Sequence, residues 1–214
     1  MWDKVTLGMF QALDDIRNSP NFESEIERDI NILACYTGKP IHHYEVMHLT
    51  DLRRELHKIR FLSEDMPVSK PSKYLKANGR TYKVVYDFRE LRAGQYIDAM
   101  SFGKDRGAMV QEMHNILASI CLPVRKSLVK GRNRPQIYGS IPHNIVAEDM
   151  RAVNFQEAYG VALFFYQLWT EFYQSTQGCF PQLLMKAMNL SLEQMQRLEA
   201  VSMIGGDGYR TQHV

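Results

Sequence analysis

The sequence predicts a mainly α-helical protein with a small central β-hairpin. Apolar residues recur at three- and four-residue steps through much of the chain, as they do on one face of a helix. Asn78-Gly79 is the favoured two-residue hairpin turn, and alternating aromatic and β-branched residues follow it. Four short features also recur in the same order in both halves of the chain. That order predicts a diverged tandem repeat of a three-helix unit.

The composition is that of a folded protein without a strong overall charge. Of the 214 residues, 45% are hydrophobic and 23% are charged, which excludes a disordered chain. Lys and Arg number 26 against 24 Asp and Glu, so the charge of the whole chain predicts no polyanionic partner.

Cysteine usage and hydropathy predict a protein of the cytoplasm. The cysteines Cys35, Cys121 and Cys179 are far apart, odd in number and without a Cys-x-x-Cys pair, which favours reduced thiols. The first residues include Asp3 and no long apolar run, so we expect no signal peptide. The most apolar segment, residues 161–169, is far shorter than the roughly 20 residues that a membrane span needs.

The predicted first helical unit covers residues 1–66. Ser24 and Glu27 form a capping box, which predicts a helix that begins after Ser24. Gly38 and Pro40 end this helix, since glycine accepts the left-handed cap and proline cannot continue a helix. The predicted apolar face of the helix consists of Ile26, Ile30 and Leu33.

A further helix of this unit is predicted after Thr50 and Asp51. Apolar residues follow there at four- and three-residue steps, with basic residues between them. They are Leu52, Leu56, Ile59 and Leu62.

Residues 67–89 are predicted to form a linker and then the β-hairpin. The alternating residues of the second strand are Tyr82, Val84, Tyr86 and Phe88. Because an isolated hairpin is only marginally stable, we expect its aromatic face to lie on helices or on another subunit.

The predicted second helical unit covers residues 90–173. Helices are expected near residues 95–102, 109–120 and 155–173, and residues 124–142 are predicted to be an inserted loop. Residues 174–214 are predicted to form a C-terminal helix, which a capping box at Ser191 opens, and a glycine-rich tail.

The repeat hypothesis depends mainly on the sequence Asn-Ile-Leu-Ala, which occurs at residues 31–34 and again at residues 115–118. A short amphipathic helix is predicted before each copy. An Asp-x-Arg segment follows each copy, at Asp51 and at Asp149, and is expected to open a third helix. Chance reuse of Leu, Ile and Ala is the alternative explanation. The residues predicted to be in the core are Ile30, Leu33, Ile116 and Leu117.

The sequence contains no recognisable catalytic pattern. The histidines His42, His43 and His48 lack the His-Glu-x-x-His spacing that places two imidazoles on one helical face. Nucleophile-elbow, P-loop and dinucleotide-binding glycine motifs are also absent from the sequence. We therefore expect no enzyme, no metal site and no cofactor.

One segment, residues 125–134, is strongly basic. It contains five positive charges and no acidic residue, which favours contact with an acidic protein surface or with nucleic acid. It has no aromatic side chain on which a base could stack, so a protein partner is the favoured interpretation. A solvated loop without a partner is the alternative. The basic residues are Arg125, Lys126, Lys130, Arg132 and Arg134.

The first third of the chain resembles a known family in the order of its helix-ending and helix-opening segments. The matching segments are Thr6-Leu7-Gly8, Ile30 to Gly38, Leu49 to Leu52 and Phe61-Leu62. Together, over residues 5–62, they resemble the tail assembly chaperones of tailed bacteriophages, in particular the short helical kind of contractile-tailed phages. The chain departs from that pattern in its greater length, its basic insertion and its additional C-terminal helix.

The resemblance implies a non-enzymatic morphogenesis protein of the host cytoplasm. It would coat the tape-measure protein and help to recruit tail-tube subunits. A virion structural component, such as a head–tail connector, ring or packaged protein, is the first alternative. A phage protein that binds nucleic acid through the basic segment is the weaker one. The expected partners are tape-measure, tail-tube or connector subunits or a second copy of the chain, and no membrane is expected.

Overall fold

The structure is a computed structural model that describes residues 1–64, 69–103, 109–125 and 134–176, with only the backbone described for residues 169–176. The α-helices are α1 (Leu7–Asn18), α2 (Glu25–Thr37), α3 (Ile41–Glu45), α4 (Leu49–Leu56), α5 (Ala93–Phe102), α6 (Met109–Ile120), α7 (His143–Arg151) and α8 (Phe155–Thr176). The strands are β1 (Tyr74–Ala77), β2 (Arg80–Val84), β3 (Cys121–Arg125) and β4 (Arg134–Pro135). The protein is mainly helical, as predicted, and Met1–Thr170 forms one compact unit.

The predicted β-hairpin is confirmed. Asn78 and Gly79 have φ angles of 47° and 74°, which is the left-handed conformation that a two-residue turn of this type requires. β1 and β2 are antiparallel, and Ala77 pairs with Arg80 next to the turn.

The hairpin is half of a four-stranded antiparallel sheet, in the order β1-β2-β3-β4. The prediction that residues 124–142 form an inserted loop is therefore wrong for the residues that β3 and β4 contain. Arg125 of β3 pairs with Arg134 of β4. The sequence does not predict these strands because β3 contains Pro123 and β4 contains Pro135, and proline usually argues against a strand. β4 is an edge strand, where the missing amide of Pro135 is tolerated.

The prediction that the second strand continues through Tyr86 and Phe88 is wrong, because β2 ends at Val84. Both aromatic residues follow the strand and pack on α8. The ring centroids of Tyr86 and Phe164 are 5.1 Å apart, with the rings edge to face. Those of Phe88 and Phe165 are also 5.1 Å apart. Tyr82, which lies within β2, is completely buried.

The main hydrophobic core joins the sheet to α1, α6, α7 and α8, and a smaller cluster lies among α2, α3, α4 and the 3-10 helix His57–Ser63. Leu117 belongs to the main core and Leu33 to the smaller cluster, as predicted. The same prediction is wrong in part for Ile30 and Ile116, which are only partly buried against these clusters.

The beginning of the chain is fixed to the junction between α7 and α8. The Leu7 amide donates to the Val153 carbonyl at 2.8 Å, and the Phe155 amide donates to the Val5 carbonyl at 2.8 Å. The side-chain nitrogen of Asn154 donates to the carbonyls of Trp2, Asp3 and Val5. Its side-chain oxygen accepts from the backbone amide of Gln156 at the start of α8. Val5 and Leu7 are consequently completely buried.

Helix α2 begins and ends as the sequence predicts. The Ser24 hydroxyl accepts from the Glu27 amide at 3.3 Å. The Glu27 carboxylate accepts from the Glu23 amide, one residue before the expected partner. Gly38 ends the helix in the left-handed conformation with φ 71°.

The two Asp-x-Arg segments occupy different places in their helices. Asp51 lies in the first turn of α4, which begins at Leu49 rather than after Asp51. Asp149 lies near the end of α7, so the expectation that it opens a third helix is wrong. The helix that follows, α8, begins after Asn154. The repeat itself stays a prediction.

Among the described residues, no helix combines the length and the apolar character required to cross a membrane.

A close backbone contact fixes the segment before β1 on α8. A Cβ atom placed on Gly160 of α8 would lie 2.4 Å from the Ser69 carbonyl oxygen, closer than any carbon side chain tolerates. Glycine at position 160 therefore allows the two backbones to meet.

We expect Gly160→Ala to lower the free energy of unfolding by about 1–3 kcal/mol, because either α8 or the Ser69 backbone must move. Urea denaturation measures the change. Gly94→Ala is the matched control: its Cβ would lie 3.6 Å from the Tyr138 ring, an ordinary contact, so no loss is expected. Equal stabilities for the two variants would show that the contact at Gly160 is not tight.

Candidate functional site

The predicted basic segment begins and ends in the sheet. Arg125 and Arg134 are directly opposite each other on β3 and β4, and both are exposed. Like charges opposite each other destabilise a strand pair. Within the described ranges, neither arginine forms an ion pair. The other three predicted residues, Lys126, Lys130 and Arg132, lie outside the described residues.

The backbone holds the two arginines together despite their charge. The Gln136 amide donates to the Pro123 carbonyl at 2.8 Å, which extends the contact between β3 and the chain after β4. On its other side, β3 pairs with β2, where Tyr82 is opposite Pro123. The basic segment is thus attached at both ends to the edge of the sheet.

A buried carboxylate fixes the hairpin to α7. Asp149 is only 4% exposed and accepts hydrogen bonds from three side chains. The side-chain amide of Asn78 donates at 2.8 Å and the Arg80 guanidinium at 2.7 Å, and the Tyr82 hydroxyl is the third donor. Both turn and strand of the hairpin are therefore positioned by one residue of α7.

Hydrogen bonding decides the ionisation of this carboxylate. Burial alone would raise the pKa of Asp149, but the bonds from Tyr82, Arg80 and Asn78 outweigh burial and lower it. Burial and the neighbouring Asp149 raise the pKa of the Tyr82 hydroxyl, which stays protonated and able to donate.

A second buried polar cluster lies between α1, α6 and α7. The Gln11 amide nitrogen donates to the carbonyls of Val110 and Gln111, at 2.8 and 2.9 Å. It also lies 3.0 Å from Nδ1 of His114, and the Arg151 guanidinium lies 3.2 Å from the other ring nitrogen, Nε2. The cluster joins three helices across the main core.

The surroundings of His114 favour its neutral form. Burial lowers the pKa of the ring, and the positive charge of Arg151 lowers it further. Arginine has only donors, so a hydrogen bond from Arg151 requires a lone pair on Nε2, which a doubly protonated ring does not have.

Ser119 and His143 are a serine–histidine pair, as in a catalytic dyad, but the serine is not accessible to solvent. Oγ of Ser119 lies 3.2 Å from Nε2 of His143. Ser119 is completely buried and its hydroxyl donates to the Asn115 carbonyl at 3.0 Å, so no substrate can reach the oxygen. The pair therefore fits a structural role. In the part of the chain that the structure describes, no group of three or more His, Cys, Asp or Glu side chains could hold a metal ion.

Comparison with protein families, with curated proteins and with solved structures finds no match.

Sequence reasoning identified the basic segment but missed the buried polar residues. The sequence singles out Asp149 only as part of a repeated Asp-x-Arg pattern, and it predicts no role for Gln11 or His114. A usable signal existed for His114, which precedes Asn-Ile-Leu-Ala on the helix that supplies Leu117 to the core. A polar residue beside such a core position predicts a buried hydrogen-bonding partner.

We expect Asp149→Asn to lower the free energy of unfolding at pH 7 by at least about 2 kcal/mol, because hydrogen bonds to an ionised group are lost. The pKa of Asp149 is lowered in the folded state, so this contribution is present above about pH 4 and is lost as the pH falls further. Urea denaturation at pH 7 and pH 3 measures both effects.

Asp87→Asn is the control for Asp149→Asn, because Asp87 forms a surface ion pair with Arg89. A smaller loss of stability is expected for this variant. A loss at Asp149 that is no larger than that at Asp87, or that does not depend on pH, would contradict the role given to Asp149.

We expect an NMR titration of His114 to give a midpoint below 6.5, since burial and Arg151 both disfavour the charged ring. The unfolded chain then binds more protons in this range, so stability should fall as the pH drops below about 6.5. Arg151→Met should raise the midpoint, because one of the two causes is removed. An unchanged midpoint in Arg151→Met would contradict the proposed contact.

Proposed function

We propose that this protein is a non-enzymatic morphogenesis protein of a tailed bacteriophage, similar to the tail assembly chaperones, and that it acts through protein–protein contacts. The resemblance over residues 5–62 supports the family, and the mainly helical fold is compatible with it. The observation that supports a binding role best is the pairing of Arg125 with Arg134 at the edge of the sheet.

The argument from the two arginines is energetic. Two exposed like charges opposite each other weaken the β3–β4 pair, and no described acidic side chain neutralises them. Folding alone gives no reason for this arrangement. An acidic surface on another protein would remove the repulsion and gain attraction at the same place.

The weakness of exposed ion pairs determines what kind of binding the basic segment can support. An exposed ion pair contributes only about 0.2–1 kcal/mol, so several are required for useful affinity. The five positive charges of residues 125–134 could supply them. Binding would be reversible and sensitive to salt, which suits a chaperone that leaves when the tail is complete. The proposed partners are tape-measure, tail-tube or connector subunits in the host cytoplasm, and no cofactor is involved.

A virion structural component is the second candidate, and exposed apolar side chains favour it. Val46, directly after α3, is 67% exposed, and Leu49, the first residue of α4, is 53% exposed. A permanent subunit contact uses apolar area of this kind. Nucleic-acid binding through the basic segment is the weaker candidate.

The basic segment is tested by replacing its five basic residues with serine. We expect the five-fold variant to unfold at or slightly above the temperature of the parent, because Arg125 and Arg134 are exposed and their mutual repulsion is removed. Tail yield in a complementation assay should fall, since contact with the acidic partner is lost. The control replaces Arg53 and Lys76, which are also exposed but lie on α4 and β1. Normal tail yield with the five-fold variant would contradict the proposed role.

Two further measurements distinguish the three candidates. Quantitative mass spectrometry of mature virions should find no protein if it is a chaperone, and a fixed copy number if it is a structural component. Binding to duplex DNA is measured at several salt concentrations. If the basic segment contacts phosphates, DNA affinity should fall steeply as salt rises and should be lost in the five-fold variant.

A further inference from the structure

A charged cleft with an apolar floor lies between α1, α2 and the segment from α4 through the following 3-10 helix. Its volume is about 360 Å³, which is within the range of ligand-binding pockets. The apolar residues that line it are Phe10, Leu13, Ile32, Leu56, Ile59 and Leu62. Six charged residues surround this floor: Asp14, Arg17, Glu25, Arg28, Asp29 and Arg60.

The floor of the cleft is part of the folded core and is therefore preformed. The ring of Phe10 stacks on Phe155 with centroids 3.6 Å apart. Leu13 is 5% exposed and Ile59 is 8% exposed. An apolar side chain that entered the cleft would meet a fixed surface, so little ordering entropy would oppose binding.

The guanidinium of Arg28 has an unused donor at this cleft. Its Nε is shielded from solvent and has no hydrogen-bond acceptor among the described residues. The guanidinium carbon lies 6.0 Å from the centroid of the Phe22 ring, which offers no lone pair. A buried donor without an acceptor costs free energy, and rotation of the long side chain can bring it to an acceptor placed in the cleft.

The acidic residues of the cleft do not satisfy Arg28. Asp14 lies 3.5 Å from the Gln111 amide nitrogen, on the side of α6. Burial and the nearby Glu25 raise the pKa of Asp29, and the opposing effect of Arg28 is smaller. A close Arg28–Asp29 ion pair would lower that pKa instead. Within the described chain, Arg28 forms no ion pair.

We propose that this cleft binds a short segment of a partner protein that presents an aliphatic or aromatic side chain next to a carboxylate. The apolar side chain enters the floor at Leu13 and Ile59, and the carboxylate accepts from the fork of Arg28. A guanidinium fork suits this role because it can donate two parallel hydrogen bonds to one carboxylate. The cleft uses other elements than the basic strand pair, and the proposal does not depend on the bacteriophage role.

The proposal is tested with two small probes that differ only in charge, 4-phenylbutyrate and 4-phenylbutyramide. Each is titrated into the ¹⁵N-labelled full chain, and amide shifts are followed by NMR. We expect shifts at Leu13, Arg28 and Ile32 with both probes. The carboxylate should bind about tenfold more tightly than the amide, because only it forms a charged bond with Arg28.

Variants of Arg28 show whether that residue is responsible. In Arg28→Gln the two probes should bind equally, whereas Arg28→Lys, which keeps the charge but not the fork, should retain part of the difference. Arg53→Gln, an exposed change on α4 outside the cleft, should retain all of it. Thermal denaturation checks that each variant is folded. If Arg28→Gln does not fold, the difference between the two probes in Arg28→Lys shows whether Arg28 recognises the carboxylate.

Three outcomes would overturn the proposal. Equal affinities for the two probes in the parent chain would show that Arg28 recognises no carboxylate. Shifts confined to other parts of the protein would show that the cleft is not a binding site. Cleft shifts that depend on protein concentration without any probe, together with dimers in sedimentation, would assign the cleft to a second copy of the chain.

Discussion

The carboxylate of Asp149 is a charge held inside the protein, and the position of the sheet depends on it. Removing a carboxylate from water costs several kcal/mol, and only well-placed donors compensate for that cost. Asn78 supplies one donor from the hairpin turn, and Arg80 and Tyr82 supply two from β2. The hairpin therefore cannot slide or rotate on α7 without leaving the charge unpaired.

The positions of β3 and β4 depend on that of the hairpin. β3 follows α6 without an intervening loop, and the Val85 amide donates to the Ile120 carbonyl at 2.9 Å where the two meet. β3 then pairs with β2, and β4 pairs with β3. Arg125 and Arg134 are thus placed by a series of contacts that begins at α7. The two ends of the basic segment, Arg125 and Arg134, are therefore fixed to the sheet by strand pairing.

Local signals predicted the parts of the fold that local chemistry decides. Ser24 and Gly38 mark the ends of α2, and Asn78-Gly79 marks the hairpin turn, because each depends on near neighbours only. β3 and β4 were missed, since their pairing is decided by distant strands and their prolines argue against strands. The basic residues were predicted as a group, but the opposition of Arg125 and Arg134 depends on register, which no short pattern encodes. The cleft was not predicted, because three separate elements form it.

The contact between the start of the chain and Asn154 has a consequence for synthesis on the ribosome. The Asn154 side chain donates to the Val5 carbonyl across a separation of 149 residues. Val5 and Leu7, completely buried in the finished unit, must remain without these neighbours until the chain has been translated as far as Asn154. Long-range contacts of this kind slow folding, because the loop between them must close first. Residues 5–7 therefore stay exposed on the nascent chain until this loop can close.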